Sequence, residues 1–232
     1  MLRDANMTPH CALAEAIGMS EDWLGRWATG RTGWHETDGN AGLRTHWPAA
    51  QLSGADRQRV LVPFCGKTLD LLWLIHQGYE VVGVELAEVA VRQFFAENDL
   101  EFEVVVEENL HRFIAKKLPL SISCGDYWGF SDPPFDALYD RGALVALPHT
   151  MRRDYVEHTK TLLLANAVKM VVTLEYDQSI VAGPPFAVHA DELTEYWSDL
   201  RRVGQYDDLQ NCPPKFRTAG ITDVQEVVWL SS

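Results

Sequence analysis

The sequence predicts an α/β protein with a doubly wound, mostly parallel sheet and helices on both of its faces. Two observations carry the prediction. From position 59 onward, short apolar runs rich in β-branched residues alternate with longer stretches of helical periodicity. Strand and helix follow one another in strict order, which calls for right-handed crossovers and hence parallel neighbours.

Residues 59–64 (RVLVPF) read as a buried strand and 68–78 (TLDLLWLIHQG) as a helix closed by Gly78. Residues 80–85 (EVVGVE) give the next strand and 86–99 (LAEVAVRQFFAEND) the next helix. A third strand falls in 120–128 (LSISCGDYW). A fourth falls in 135–144 (FDALYDRGAL) and leads into a helix near 149–164. The fifth spans 167–177 (AVKMVVTLEYD), and 222–230 (TDVQEVVWL) reads as an antiparallel strand at the C-terminal edge. Upstream, 20–35 (SEDWLGRWATGRTGWH) holds Trp23, Trp27 and Trp34, with Ser20 as N-cap of a short helix. Trp23 and Trp27 are four apart and share a helical face, which reads as a hydrophobic staple onto the core.

With 232 residues the chain accommodates one well-cored domain, expected over 21–232, with residues 1–20 as an uninformative N-terminal extension. Twenty basic against 33 acidic residues give a net charge of −13, which repels nucleic acid and anionic membranes. Cys11, Cys65, Cys124 and Cys212 form no C-x-x-C pair, so neither a metal site nor a disulfide framework is expected, and the compartment reads as cytoplasmic. Asp4, Glu15, Glu21 and Asp22 are incompatible with a secretory leader. No run approaches the roughly 18 apolar residues of a membrane span. A monomer is expected, since no sustained apolar helix face is left once the sheet is covered.

The stretch 60–74 (VLVPFCGKTLDLLWL) contains Gly66-Lys67-Thr68, the closing triplet of a nucleotide-triphosphate phosphate loop. That loop needs another glycine five positions upstream, where Leu61 stands inside a strand. The dinucleotide pattern G-x-G-x-x-G fails too, because Gly66 is the only glycine between Gly54 and Gly78. Ligands of such a sheet nevertheless bind at the carboxyl ends of its strands, which selects 63–67, Glu85, 125–127 and 140–142. Glu85 ends a strand nineteen residues beyond Gly66, close to the spacing that brings an acid onto both hydroxyls of an unmodified ribose. Gly66 permits close backbone approach, and the next helix offers N–H groups that a carboxylate satisfies as well as a phosphate. A nucleoside joined to an amino acid, such as S-adenosylmethionine, therefore fits better than NAD. Gly125 and Asp126 can present a backbone N–H and a carboxylate to an adenine edge, or Asp126 can cap the next turn.

Six segments then resemble one family. They are 60–74, 78–91 (GYEVVGVELAEVAV), 94–98 (FFAEN), 139–148 (YDRGALVALP), 172–178 (VTLEYDQ) and 183–186 (GPPF). Together they are similar to thiopurine S-methyltransferases, class I enzymes that use S-adenosylmethionine on a Rossmann-like sheet. The resemblance implies that 21–45 forms a lid closing over the cofactor, with Trp27 and Trp23 as its contacts. It places Phe64 where the family usually has leucine, Glu85 on the ribose, and Gly125 and Asp126 beside the adenine. It puts Arg141 near the reacting centre, touching cofactor and acceptor. Trp34-His35 stands for the family's aromatic-His pair, with Trp34 against the acceptor, and either Arg217 or Lys215 is a second basic contact. Phe64 and Trp34 both enlarge the aromatic surface relative to the usual residues.

The reaction so implied is methyl transfer from S-adenosylmethionine, leaving S-adenosylhomocysteine, to a small aromatic or heterocyclic thiol, with selenium or tellurium compounds as further acceptors. Such a reaction needs positioning and exclusion of water more than a general base. A fixed Arg141 favours the thiolate, whereas His35 is expected to hydrogen-bond a loop. The alternatives are a non-catalytic S-adenosylmethionine-binding protein and a nicotinamide-dependent oxidoreductase on the same sheet.

Overall fold

The computed structural model describes residues 23–32, 36, 38–48, 58–107 and 110–231. Helices α1 (Trp23–Ala28) and α2 (Ala41–His46) precede strand β1 (Arg59–Pro63), followed by α3 (Asp70–His76), β2 (Glu80–Glu85) and α4 (Glu88–Glu97). Next come β3 (Phe102–Val106), β4 (His111–Ala115), β5 (Leu120–Cys124), β6 (Phe135–Asp140), α5 (His149–Leu162) and β7 (Leu163–Glu175). Helix α6 (Ala190–Tyr196), β8 (Leu200–Asp207), α7 (Pro214–Thr218) and β9 (Gln225–Ser231) follow, and 3₁₀ turns lie at Tyr127–Gly129 and Leu144–Ala146.

Among the described residues the strands form one nine-stranded sheet in the order β3-β4-β5-β2-β1-β6-β7-β9-β8. Its centre, β5-β2-β1-β6-β7, is parallel. Antiparallel pairs complete it on both sides. Strand order reverses about β1, which has β2 on one side and β6 on the other, and this opens a crevice at their carboxyl ends. Alternation along β1 explains the two cores. Val60 and Val62 pack with Leu71, Leu74, Phe94 and Phe95 of α3 and α4, whereas Leu61 packs with Tyr155, Val156 and Leu193 of α5 and α6. Each fully buried side chain of this kind contributes about 1.5–3 kcal/mol.

The five expected parallel strands are all present, and β9 is antiparallel as expected. It sits one place in from the edge, because β8 pairs onto its outer side. The sequence reading assigned nothing to β8, whose residues LRRVGQYD mostly face solvent and lack a clean apolar alternation. The hairpin of β3 and β4 was likewise unread. Its strands are five residues each, β3 carries four exposed positions out of five, and β4 buries only Phe113 and Ala115, so the apolar signal is short. Ser20 and its expected capping role lie outside the described residues.

Gly83, in the middle of β2, lets the loop after β1 close down: a Cβ there would lie 2.7 Å from Cys65 Sγ and 3.4 Å from Ile122 Cγ1. Gly83→Ala is expected to destabilise the fold by about 1–3 kcal/mol in urea unfolding. Gly129→Ala, where a Cβ meets nothing within 4 Å, should stay within about 0.5 kcal/mol of the parent. Equal effects at both positions would refute the close-approach account.

Candidate active site

A cavity of about 950 Å³ opens at the carboxyl ends of β1, β2, β5 and β6, large enough for two small molecules side by side. One half is organised by Glu85. Its Oε2 accepts the Gly66 N–H at 2.7 Å and its Oε1 accepts the Ala87 N–H at 2.8 Å. Burial pushes this carboxyl upward, and the N–H groups of Ala87 and Gly66 pull it back toward the ionised form. A carboxylate oxygen has two lone pairs, so after these bonds each oxygen retains acceptor capacity for a hydroxyl.

The loop that meets Glu85 is unusual in its backbone. Phe64 takes φ 49° and Gly66 φ 54°, a region that a phenylalanine occupies only at a cost of about 1–3 kcal/mol. The Phe64 ring is held edge-on against Tyr127, centroids 5.6 Å apart, and against Tyr155 at 6.0 Å. Trp27 of α1 is buried against Ala87 and Ala90, at the start of α4. Its ring covers Gly66 so closely that a Cβ there would stand 3.0 Å from Trp27 Cζ2. Trp23 lines the same cavity, with the Arg26 guanidinium 5.1 Å from its ring centroid.

Across from this loop, the Gly125 N–H donates to the Glu85 carbonyl at 2.9 Å, which ties the end of β5 to the end of β2. Asp126 Oδ1 accepts the Trp128 N–H at 3.2 Å and so caps the 3₁₀ turn. Asp126 also lines the cavity, so the capping role and a place in the cavity wall coexist.

The other half of the cavity surrounds Arg141. Its Nη2 donates to Glu36 Oε1 in an ion pair whose two side chains are both largely buried. Burial works against the guanidinium charge, but Glu36, Glu226, Tyr139 and Asp70 together hold its pKa above the ordinary value. The adjacent Asp140 is not the partner. Its Oδ1 accepts the N–H groups of Ala143 and Leu144 at 3.0 and 3.2 Å and its Oδ2 accepts the Tyr155 hydroxyl at 2.7 Å, which fixes the loop bearing Arg141.

Behind Arg141 lies a buried network that the sequence reading missed. Asn40 donates from Nδ2 to both oxygens of Glu226 at 3.0 Å, and its backbone N–H donates to Asp70 Oδ1 at 2.8 Å. Its Oδ1 accepts the Leu43 N–H at 2.8 Å and thereby caps α2. Tyr139 donates to Asp70 Oδ2 at 2.9 Å. The signals were present but weak: Asn40 just before AGLRTH is a cap candidate, and Glu226 is a charge inside the apolar run EVVWL. Nothing linear connects Asn40 to Glu226 across 186 residues.

Of the two expected C-terminal cations, Arg217 lines the cavity and donates from Nη1 to the Gln210 carbonyl at 3.2 Å. Lys215 donates to the Ala182 carbonyl at 2.8 Å and is not among the lining residues. Trp34 and His35 lie outside the described residues. Burial, and then Glu85, push the Cys65 thiol well up, and Cys124 is pushed up to about 12, first by burial, so neither offers a thiolate at neutral pH. The arrangement holds and orients ligands. It suits a nucleoside joined to an amino acid, because Gly66 brings a bare backbone to the cavity under the Trp27 ring and Glu85 has acceptor capacity for a diol.

Known proteins resemble this chain along nearly all of its length. Residues 19–232 match the family model for Thiopurine S-methyltransferase (TPMT). A protein named thiopurine S-methyltransferase from Pseudomonas putida is 41% identical over 215 residues, spanning 90% of this chain and 97% of its own. One of the same name from Bordetella petrii is 40% identical over 215 residues, spanning 90% and 96%. Among solved structures, the 1,6-didemethyltoxoflavin-N1-methyltransferase of Burkholderia thailandensis, with 1,6-didemethyltoxoflavin and S-adenosylhomocysteine bound, aligns at TM-score 0.58 and 17% identity, covering 100% of this chain and 93% of that one. That likeness is one of fold.

Glu226 gives the site a pH signature. Burial raises its pKa to about 7, with Arg141 and Asn40 opposing the shift and Glu36 and Asp208 adding to it. Between about 4.5 and about 7 the folded chain therefore holds a proton that the unfolded chain has lost, so this group's contribution to stability falls as pH rises through that window. Glu226→Gln copies the protonated form. Relative to the parent it should gain stability on going from pH 5 to pH 8, on the order of 1–3 kcal/mol by urea unfolding. A difference that does not change with pH would contradict this.

Proposed function

The chain belongs to the thiopurine S-methyltransferase family, and from that premise we propose that it methylates the sulfur of a small aromatic or heterocyclic thiol. It is an S-adenosylmethionine-dependent methyltransferase, and the donor, when bound, supplies a methyl group already activated on a sulfonium. The observation that carries the acceptor reading is Arg141: a guanidinium whose charge is favoured by surrounding acids, in the same cavity as Glu85 and Gly66.

On this reading Glu85 receives the ribose hydroxyls, and Gly125 and Asp126 bound the adenine. Gly66 takes the close approach of the amino-acid end, beside Phe64. Trp27 roofs that end, and its ring and that of Trp23 are suited to face a sulfonium, an interaction of about 0.5–2 kcal/mol. Arg141 holds the acceptor sulfur as its thiolate, since a nearby cation favours the ionised form. It also borders the donor. Arg217 and Trp34 flank the acceptor ring. No side chain needs to accept a proton in the transfer itself, because an acidic heteroaromatic thiol arrives ionised. The chain's work is then to align sulfur with the methyl group and to keep water out.

Arg141→Ala should lower kcat/KM for an acidic arylthiol at least tenfold, whereas His35→Ala should retain most activity. Small and equal effects from both would remove Arg141 from its role. For the donor half, Glu85→Ala should weaken S-adenosylhomocysteine binding at least tenfold in calorimetry, and Phe64→Ala should weaken it measurably. Unchanged affinity in Glu85→Ala would overturn the ribose assignment.

A further inference from the structure

The Arg141–Glu36 ion pair poses a problem for an acceptor that carries a carboxylate. Glu36 comes from the N-terminal segment, 105 positions away from Arg141 in sequence, and occupies the guanidinium inside the cavity itself. Asp70, Asp208 and Glu226 line the same wall. Of these four carboxylates, Glu36 is the one bonded to the Arg141 guanidinium. The other acceptor-side guanidinium, Arg217, donates to backbone carbonyls at 3.2 to 3.5 Å and anchors the turn before α7. An acceptor that brings a carboxylate thus enters a wall rich in negative charge, where the matching cation already has a carboxylate.

Resting on the acceptor site proposed above, we infer that Glu36 is a specificity-determining residue: an internal carboxylate that occupies Arg141 and selects against acceptors bearing a permanent anionic substituent. Glu36 Oε1 already takes an N–H of Arg141 Nη2, so an incoming carboxylate that seeks the guanidinium as a two-pronged partner competes with Glu36 for it. A thiolate is a smaller demand on the cation, because its charge is spread over one large sulfur and makes no bidentate claim. The displaced Glu36 is costly in either position. If it stays, it repels the newcomer across a short distance. If it leaves, Arg141 exchanges one carboxylate for another with no net gain. Burial pushes the Glu36 carboxyl upward and Arg141 pulls it down, with Asp70 and Asp208 adding to the rise, so the pair is held together by mutual need.

Equilibrium binding to the S-adenosylhomocysteine-loaded protein tests this separately from turnover. At pH 8, above the value of about 7 to which Glu226 is raised, parent and E36Q proteins are titrated calorimetrically with 4-mercaptobenzoate and with 4-methylbenzenethiol. The two rings are alike in size and differ in the carboxylate. The preference for the carboxylated ligand, expressed as the ratio of the two dissociation constants, should rise at least tenfold in E36Q. E36D keeps the charge and should shift the ratio far less. An unchanged ratio, an equal change for both ligands, or a shift in E36D as large as in E36Q overturns the inference. Loss of S-adenosylhomocysteine binding in E36Q marks a structural role and overturns it too. If the ratio rises but neither thiol is methylated, the acceptor class proposed above fails while the role of Glu36 stands. If neither thiol binds either protein, both fall.

Discussion

The Glu85 carboxylate is the point on which the site depends. It sits at the end of β2, and its two oxygens reach forward to Ala87, at the start of α4, and sideways to Gly66, in the loop leaving β1. One buried acid therefore fixes two strand-to-helix junctions relative to each other. The geometry works only because Gly66 brings its N–H within 2.7 Å, and Gly66 stays reachable only because Gly83 leaves room for Cys65 beneath it. An acid placed here without those donors would be driven to its neutral form by burial, and a neutral carboxyl is a poorer acceptor for a diol.

The second organising element joins parts of the chain that are far apart in sequence. Asn40 links α2 to α3 through Asp70 and to β9 through Glu226, all behind Arg141. Asp140 and Tyr155 brace the loop of Arg141 from the opposite face of the sheet. The guanidinium is thus framed from both sides, and its charge is sustained by acids that are themselves costly to bury. This is a polar network with high internal dependence. Removing the Asn40 side chain would take from Glu226 the amide that meets both of its oxygens in a low-dielectric wall.

What could be read from the sequence follows from how local each signal is. The parallel centre of the sheet was legible because every strand there is buried on both faces and its apolar run needs no partner to be recognised. That Glu85, Gly66, Gly125 and Asp126 border the cavity was legible because strand ends in such a sheet face its crevice, whatever the motif. The edge strands β3 and β8 were not legible, since they expose most of their residues and are held by pairing, which leaves little trace in composition, and β4, paired to β3, is only five residues long. The Asn40–Glu226 contact and the Arg141–Glu36 pair were not legible either. They are tertiary meetings of ordinary polar residues, and the Glu36 that pairs with Arg141 lies 105 positions away in the N-terminal segment, with no linear signal to join them.

Phe64 carries a consequence of a different kind. Its backbone sits where a glycine or asparagine would rest more easily, and the surrounding bonds, such as the Cys65 N–H to the Val84 carbonyl at 3.1 Å, hold it there against that preference. A protein engineer seeking a tougher molecule would find this position early, because relieving the strain stabilises the chain. The gain would come with an emptier wall where Phe64 meets Tyr127 and Tyr155. Hardiness and a shaped binding surface are here opposed at a single residue.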